Sequence, residues 1–307
     1  MRATLIHNPG AGEGRALRAS LLRLLRRAGY DVTYLSTKDK DYAQAVAGAE
    51  GLVVAAGGDG TVRRVAIALA GGKAVMAVLP MGTANNLARA LGLTGSHARM
   101  AETWKDARPR RFDIGRVVLP WEESHFVESV GLGWFSDTMA RLDKRAAAEI
   151  EAIAARNQRL SRARLHFIKA IRRARPFEAV VTVDRRRIAG RFLAVEAMNI
   201  CSLGPNLMLA PAADSADGKL DVVLVRADER ERLDDYLRRR IEHEPDPPAL
   251  TIVRGRRVRI EAEARRPHVD DKPGPRKSVR LGGLVDGAAM AIDIGVRRGA
   301  VTILAPD

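Results

Sequence analysis

Cysteine occurs once in this 307-residue chain, as Cys201, so no intramolecular disulfide can form and a reducing compartment is expected. Aromatic residues make up only 4% of the sequence, which leaves a core built chiefly from aliphatic side chains. No run approaches the roughly 20 apolar residues that cross a bilayer. The opening Met1-Arg2-Ala3-Thr4-Leu5-Ile6 is apolar too briefly for a secretory signal. A cytoplasmic protein is the expectation, with contact at the inner face of the membrane as its one extension. The 6 histidines show no His-x-x-x-His spacing and there is no Cys-x-x-Cys, which argues against zinc. No Ser-His-Asp arrangement can be read from spacing either.

Acidic residues are also in short supply. Against 52 Lys and Arg there are 37 Asp and Glu, a formal charge of +15. Residues 141–191 hold fifteen of the cations and five of the acids, and so carry +10 of that total. Such a surface attracts nucleic acid or an anionic leaflet on charge alone. Nucleic acid is the weaker reading, because no recognisable binding motif accompanies the charge. A solvated, Arg-rich surface is the plain alternative.

What the chain does contain is an organised set of glycine turns. Leu52-Val53-Val54-Ala55-Ala56 is an apolar run of strand length. It enters Gly57-Gly58-Asp59-Gly60-Thr61, and Val62 to Ala70 then follows with apolar residues at helical spacing. A strand turning through glycines into a helix start collects unpartnered N–H groups and favours an anion. A tight turn alone would need glycine but would not explain Asp59. A carboxylate beside phosphates makes sense with Mg²⁺ between them. Asn8-Pro9-Gly10-Ala11-Gly12 is a second small-residue turn, and Pro80-Met81-Gly82-Thr83 a third. Each follows a candidate strand, at residues 3–7 and 74–79.

Strands at 3–7, 31–36, 52–56 and 74–79 alternate with helices. One helix carries Leu17, Leu21, Leu24 and Ala28 on a stripe. This pattern predicts an α/β fold with a doubly wound parallel sheet over residues 1–115, whose carboxyl ends gather the three turns. Beyond residue 115 separated β-like runs replace the alternation. They are Arg116–Leu119, Phe126–Val130, Phe177–Val183, Phe192–Asn199, Leu220–Val225, Val258–Glu263 and Ala289–Ile294. An antiparallel β-sandwich over 116–296 is expected, with a helical insert at about 138–174. In that insert Leu160, Ala163, Phe167, Ile171 and Ala174 share a stripe opposite Arg162, Lys169 and Arg173. It reads as a docked helix first and a membrane-surface element second. Trp134-Phe135 reads as core, with an acyl pocket as the alternative. Residues 297–307 are candidates for a return to the first domain.

The order and spacing of the turns resemble the diacylglycerol-kinase catalytic family, which includes bacterial lipid kinases and the sphingosine and ceramide kinases. Asn8-Pro9-x-x-Gly12, Gly57-Gly58-Asp59-Gly60-Thr61 and Gly82-Thr83-Ala84-Asn85-Asn86-Leu87-Ala88-Arg89 carry the resemblance. It continues through Ser129-Val130-Gly131-Leu132-Gly133-Trp134-Phe135, through Ala210-Pro211-x-Ala213-x-x-x-Asp217-Gly218-x-Leu220-Asp221-Val222, and through Gly299 to Pro306. The resemblance implies ATP- and Mg²⁺-dependent phosphorylation of a lipid hydroxyl, such as that of diacylglycerol, in a cleft between two domains at a membrane surface. A homodimer is compatible with it.

Carried onto this chain, Asn8, Pro9, Gly10, Ala11, Gly12, Thr37, Gly57, Gly58, Asp59, Gly60, Thr61, Val62, Arg63 and Thr83 would hold the nucleotide, with Asp59 placing Mg²⁺. The resemblance also implies a second-domain metal site, here the Asp217 carboxylate with backbone carbonyls of Asp214 and Lys219; an Asp-Gly turn joining two strands is the alternative. Three departures stand out. Arg63-Arg64 replaces the Asn-Glu that often begins the helix in relatives, and Asn86 replaces an aspartate. The third concerns the Asp-Gly-Glu that relatives use to deprotonate the lipid hydroxyl, help worth about 10²–10⁴-fold. Here His268-Val269-Asp270-Asp271-Lys272-Pro273 keeps only the first residue, and Val285-Asp286-Gly287-Ala288 lacks the glutamate. Asp270 is favoured over Asp286 because it follows a strand. Two other readings remain: an NAD-kinase- or phosphofructokinase-like enzyme sharing the Gly-Gly-Asp-Gly loop, and a catalytically weak nucleotide- or membrane-binding relative without its base.

Overall fold

The computed structural model describes residues 1–9, 15–142, 144–153, 155–263, 265–274 and 289–306. The chain divides into two units, Met1–Ile114 with Arg298–Asp307, and Gly115–Arg297.

In the first unit the elements run β1 (Arg2–His7), α1 (Arg15–Arg27), β2 (Asp31–Ser36), α2 (Tyr42–Ala47), β3 (Leu52–Gly57), α3 (Asp59–Leu69), β4 (Val75–Pro80), α4 (Asn86–Ala90) and α5 (His97–Thr103). The four strands are parallel in the order β2-β1-β3-β4. All six residues of β3 are buried, as a strand covered on both faces requires, and its sequence is accordingly an unbroken apolar run. The chain's final strand joins in parallel beside β4, Thr302 opposite Val75 and Ile303 opposite Met76. Gly299 N–H donates to Asp113 Oδ1 at 2.5 Å and Gly71 N–H to Ala300 O at 2.8 Å, so this returning segment is tied down on both sides. The α1 stripe is rotated from expectation: Leu21 and Leu25 are its fully buried residues, while Leu17 and Leu24 are half-buried.

The second unit takes up β5 (Pro109–Leu119) partway along, and continues with β6 (Glu122–Phe126), β7 (Ser129–Gly133), α6 (Trp134–Arg141), α7 (Lys144–Glu151), α8 (Arg156–Arg173), β8 (Phe177–Val183) and β9 (Arg186–Met198). Then come β10 (Ser202–Leu203), β11 (Leu207–Met208), β12 (Leu220–Arg226), α9 (Arg230–Glu242), β13 (Thr251–Gly255), β14 (Arg257–Glu263), β15 (His268–Val269), β16 (Lys272–Pro273) and β17 (Ala289–Leu304). All strand pairs described within this unit are antiparallel. Strand β9 organises them. Its first half pairs with β8, and its second half lies between β7 and β12.

Alternation along β9 feeds two cores. Val195 and Ala197 face a β-sandwich interior with Val130, Leu132, Val222 and Leu224. Ala194 and Met198 face the helices, meeting Phe167 and Ile171 of α8 and Tyr236 and Leu237 of α9. Trp134 and Phe135 belong to this second core. The helical insert is therefore three helices, and α8 buries Leu160, Phe167 and Ile171 while Arg162, Lys169 and Arg173 stay exposed. Arg164 is a buried exception, with Nε donating to Pro205 O at 3.0 Å and Nη1 to Arg240 O at 2.6 Å. Helix α9 had no counterpart among the sequence expectations. Its apolar face is four residues, Leu233, Tyr236, Leu237 and Ile241, among charged ones.

Candidate functional site

In the sheet of the first unit, β1 leads through α1 to β2 on one side, while β3 lies on its other side. The order reverses between the carboxyl ends of β1 and β3, and crevices at such reversals are where open α/β sheets bind ligands. His7 pairs with both Ser36 and Ala56, and Gly57 with Pro80. The residues that follow these positions therefore share one edge: Asn8 and Pro9, Thr37, Gly58 and Asp59, and Gly82 and Thr83. Thr37 N–H donates to His7 O at 3.0 Å, fixing the β2 end against the β1 end. Asn8, Pro9, Thr37, Gly58, Asp59, Gly60 and Thr83 are half-buried, and Thr61, Val62 and Arg63 are buried beneath the loop. Gly10, Ala11 and Gly12, also expected here, lie outside the described residues, as does Asp286.

Two of the glycine turns meet backbone to backbone. A Cβ built on Gly82 would lie 2.6 Å from Gly58 Cα, and one on Gly58 3.1 Å from Gly82 Cα. A side chain at position 82 would collide with the facing backbone, and one at position 58 would crowd it. The turns stay this close because Met81 N–H donates to Gly57 O at 2.9 Å, and because Asn85 clamps its own turn. Asn85 Oδ1 accepts from Gly82 N–H at 2.7 Å and its Nδ2 donates to Gly82 O at 3.0 Å. Asn85 takes left-handed φ, +52°, a conformation asparagine tolerates better than most residues. The result is a backbone surface free of side chains at the start of α3, of the kind that an anion's oxygens can approach closely.

Asp59 opens α3 and turns its carboxylate toward the start of α4, where Leu87 N–H donates to Oδ1 at 3.3 Å. Burial raises its proton affinity above the ordinary aspartate value, and the N–H groups of Leu87, Asn85, Asp59 itself and Asn86 oppose that rise without cancelling it. The carboxylate thus has a structural partner and borders the two glycine turns. A lone carboxylate beside a phosphate cradle fits Mg²⁺, which takes one or two protein carboxylates and completes its shell with phosphate oxygens and water.

In the second unit Asp270 forms the turn between β15 and β16, with left-handed φ of +52°. Its carboxylate accepts from three consecutive backbone N–H groups: Val127 at 3.1 Å, Glu128 at 2.8 Å and Ser129 at 3.1 Å. Its own N–H donates to Ser129 O at 2.8 Å. Three consecutive amides hold this carboxylate in one position. Asp270, the position expected to supply the general base, is thus engaged by the backbone of residues 127–129. Lys272 is exposed.

Asp214, Asp217 and Lys219 form a self-capped turn. Asp214 Oδ1 accepts from Ala216 N–H at 2.9 Å, and Asp217 Oδ1 from Lys219 N–H at 2.8 Å. The other Asp217 oxygen is paired with the Arg254 guanidinium. No group of three acidic, His or Cys side chains gathers here among the described residues. No step is derived through a metal at this turn.

Sequence reasoning passed over Glu196. Its signal was an acid in the middle of the apolar run Phe192–Asn199, and the structure pairs it with His268 inside the second unit.

Sequence models of two described domains match the chain, "Diacylglycerol kinase catalytic domain" over residues 2–117 and "YegS C-terminal NAD kinase beta sandwich-like domain" over residues 138–274. A diacylglycerol kinase of Mycobacterium tuberculosis is 28% identical over 250 residues, covering 76% of this chain and 75% of that protein. One from Bacillus subtilis is 26% identical over 238 residues, covering 73% and 74%. A crystal structure of a diacylglycerol kinase from Bacillus anthracis superposes with a TM-score of 0.71 at 20% identity, covering 99% of this chain and 97% of that one. That last likeness is one of fold.

Proposed function

The chain belongs to the diacylglycerol kinase catalytic family and is a phosphotransferase of the kinase type, and from this we propose that it phosphorylates a lipid alcohol with ATP and Mg²⁺. Diacylglycerol or a close relative is the acceptor. The observation that carries the reading is the backbone contact of Gly58 with Gly82 at the strand-order reversal, with Asp59 at its border.

In this reading the N–H groups around Gly58 and Gly82 hold the nucleotide phosphates. Asn8, Thr37, Thr61 and Thr83 line the same sheet edge, and the Arg63 guanidinium under the first turn of α3 adds positive potential. Asp59 would hold Mg²⁺, which when bound offsets charge on the transferring phosphoryl group. Phosphoryl transfer depends mainly on such positioning and charge neutralisation. Asp270 contributes by holding the β15–β16 hairpin, not by taking the hydroxyl proton. Membrane contact is through the cationic surface of the second unit, and a cytoplasmic location at the inner leaflet follows from it.

Purified protein incubated with labelled ATP, Mg²⁺ and a panel of lipid alcohols in mixed micelles tests this reading. Labelled lipid phosphate supports it; label in NAD with none in the lipid extract supports the NAD-kinase-like alternative. The three-amide grip on Asp270 favours a second reading, a nucleotide-binding relative of weak turnover. Tight ATP binding without product on any lipid would establish it.

A further inference from the structure

Between the ends of α6 and α8 in the second unit lies a pocket of about 360 Å³. Four arginines line it, Arg141, Arg173, Arg175 and Arg265, against one acid, Asp137. Its size is at the lower end for small-molecule sites. We propose that this pocket binds a phosphate dianion, either inorganic phosphate or the monoester headgroup of a lipid.

Charge arithmetic separates this from ordinary helix capping. The four guanidiniums and Asp137 sum to +3. Two helix C-termini contribute roughly −0.5 each, which absorbs about one of those charges. The end of α8 is moreover already served from elsewhere: Arg230, which does not line the pocket, donates to Ile171 O and to Ala174 O. A surplus near +2 remains, and a phosphate monoester carries about −1.5 to −2 at neutral pH.

Side-chain partners point the same way. The Arg173 and Arg175 side chains make no hydrogen bond or ion pair among the described residues, so no described side chain offsets their positive charge. Arg265 is held from two sides. Its guanidinium stacks 4.6 Å over the Phe177 ring, and its Nη1 lies 3.6 Å from Asp137 Oδ2. Its Nε is buried and has no hydrogen-bond partner among the described residues. Arginine's planar fork suits phosphate oxygens, and one pre-oriented arginine with adaptable neighbours is a site that needs little reorganisation. Trp134 forms an apolar wall, its Nε1 already donating to Phe167 O at 3.0 Å. This inference is independent of the nucleotide site.

The test compares the full chain with two double variants, R173Q/R175Q in the pocket and R185Q/R186Q on the exposed β8–β9 turn. Both remove the same charge from exposed positions of the second unit, and matched melting temperatures verify folding. Inorganic phosphate is titrated calorimetrically. In a separate arm, protein is floated with phosphatidylcholine vesicles doped with phosphatidate, or with phosphatidylglycerol at equal surface charge. The pocket variant is expected to lose about tenfold in affinity for inorganic phosphate, for phosphatidate vesicles, or for both, and the turn variant little. Which arm responds identifies the source of the phosphate. Phosphate bound at the glycine turns is common to all three proteins and cancels. Equal losses in the two variants, equal responses to phosphatidate and phosphatidylglycerol, or no binding by the parent chain overturns the proposal.

Discussion

His268 Nε2 and Glu196 Oε2 lie 2.7 Å apart with both side chains fully buried. They sit on β15 and β9, and β7 runs between those strands, Gly131 pairing with both residues. Only glycine lets them meet, since a Cβ on Gly131 would fall 2.1 Å from Glu196 Oε2. The other ring nitrogen, Nδ1, faces Asp270 O at 2.9 Å. A carbonyl can only accept, so Nδ1 carries a proton, and a single further proton is shared between Nε2 and the carboxylate.

That geometry predicts a pH dependence of stability. Burial alone would lower the His268 pKa, but the charge and hydrogen bond of Glu196, then the carbonyl and charge of Asp270, outweigh it and the net shift is upward. A pKa raised on folding gives stability that is fully present below the unfolded value, about 6.5, and is lost as pH rises through the folded value. Urea midpoints should therefore fall from neutral pH into the alkaline range, and E196L/H268L should flatten that slope. Removing one partner leaves the other buried alone, at about 3–5 kcal/mol, whereas replacing both with apolar residues should cost much less. Single variants as stable as the double would contradict the pairing.

Gly82→Ala tests the contact of the two turns. The new methyl would meet Gly58 Cα and Asn85 Oδ1, neither of which can retreat without moving the turn. Overpacking of this kind costs about 1–3 kcal/mol, and here the strain falls on the backbone proposed to hold phosphate. The expected outcome is a rise of about tenfold or more in KM for ATP with the sheet intact by circular dichroism. An unchanged KM would remove these turns from the nucleotide site.

Asp59 has two candidate tasks that substitution separates. Asp59→Asn keeps an oxygen for Leu87 N–H but discards the charge, while Asp59→Ala discards both. If the charge serves phosphoryl transfer, each variant loses turnover by about two orders of magnitude. Only the alanine variant then also loses stability, by about 1 kcal/mol, as for other lost helix caps. Near-normal turnover in Asp59→Asn would leave Asp59 a cap and nothing more.

These contrasts mark what the sequence could express. The parallel sheet and the gathering of the turns at one edge were legible, because apolar strands ending in glycine turns are local signals and β3 carries them undiluted. The sandwich was legible from period-two runs such as Phe177–Val183. Helix α9 was not, because four apolar residues among arginines and acids acquire meaning only once Tyr236 and Leu237 meet β9 and β12. The contact of Glu196 with His268 was equally hidden: 72 residues separate them, and only the shared glycine on the strand between them brings them together. Asp270 was singled out from the sequence as the candidate base, but its surroundings come from residues 127–129, which no local pattern connects to it.

Asp270→Asn decides between anchor and base. In the structure Oδ1 accepts from Glu128 and Ser129, and both oxygens approach Val127 N–H. Asparagine can keep one acceptor at these amides but brings an NH₂ group and no charge, so the grip on residues 127–129 weakens by about 1–3 kcal/mol. Asp270→Ala leaves three buried N–H groups unsatisfied and should cost more. An anchoring residue therefore lowers the melting temperature in the order Ala below Asn below the parent chain, while kcat of whatever remains folded falls by less than about tenfold. A general base behaves in the opposite way. It would give an Asn variant of near-parental stability whose kcat drops by about 10²–10⁴-fold and loses its acidic limb in the pH profile. Melting curves and kcat against pH, measured on the same two variants, distinguish the two.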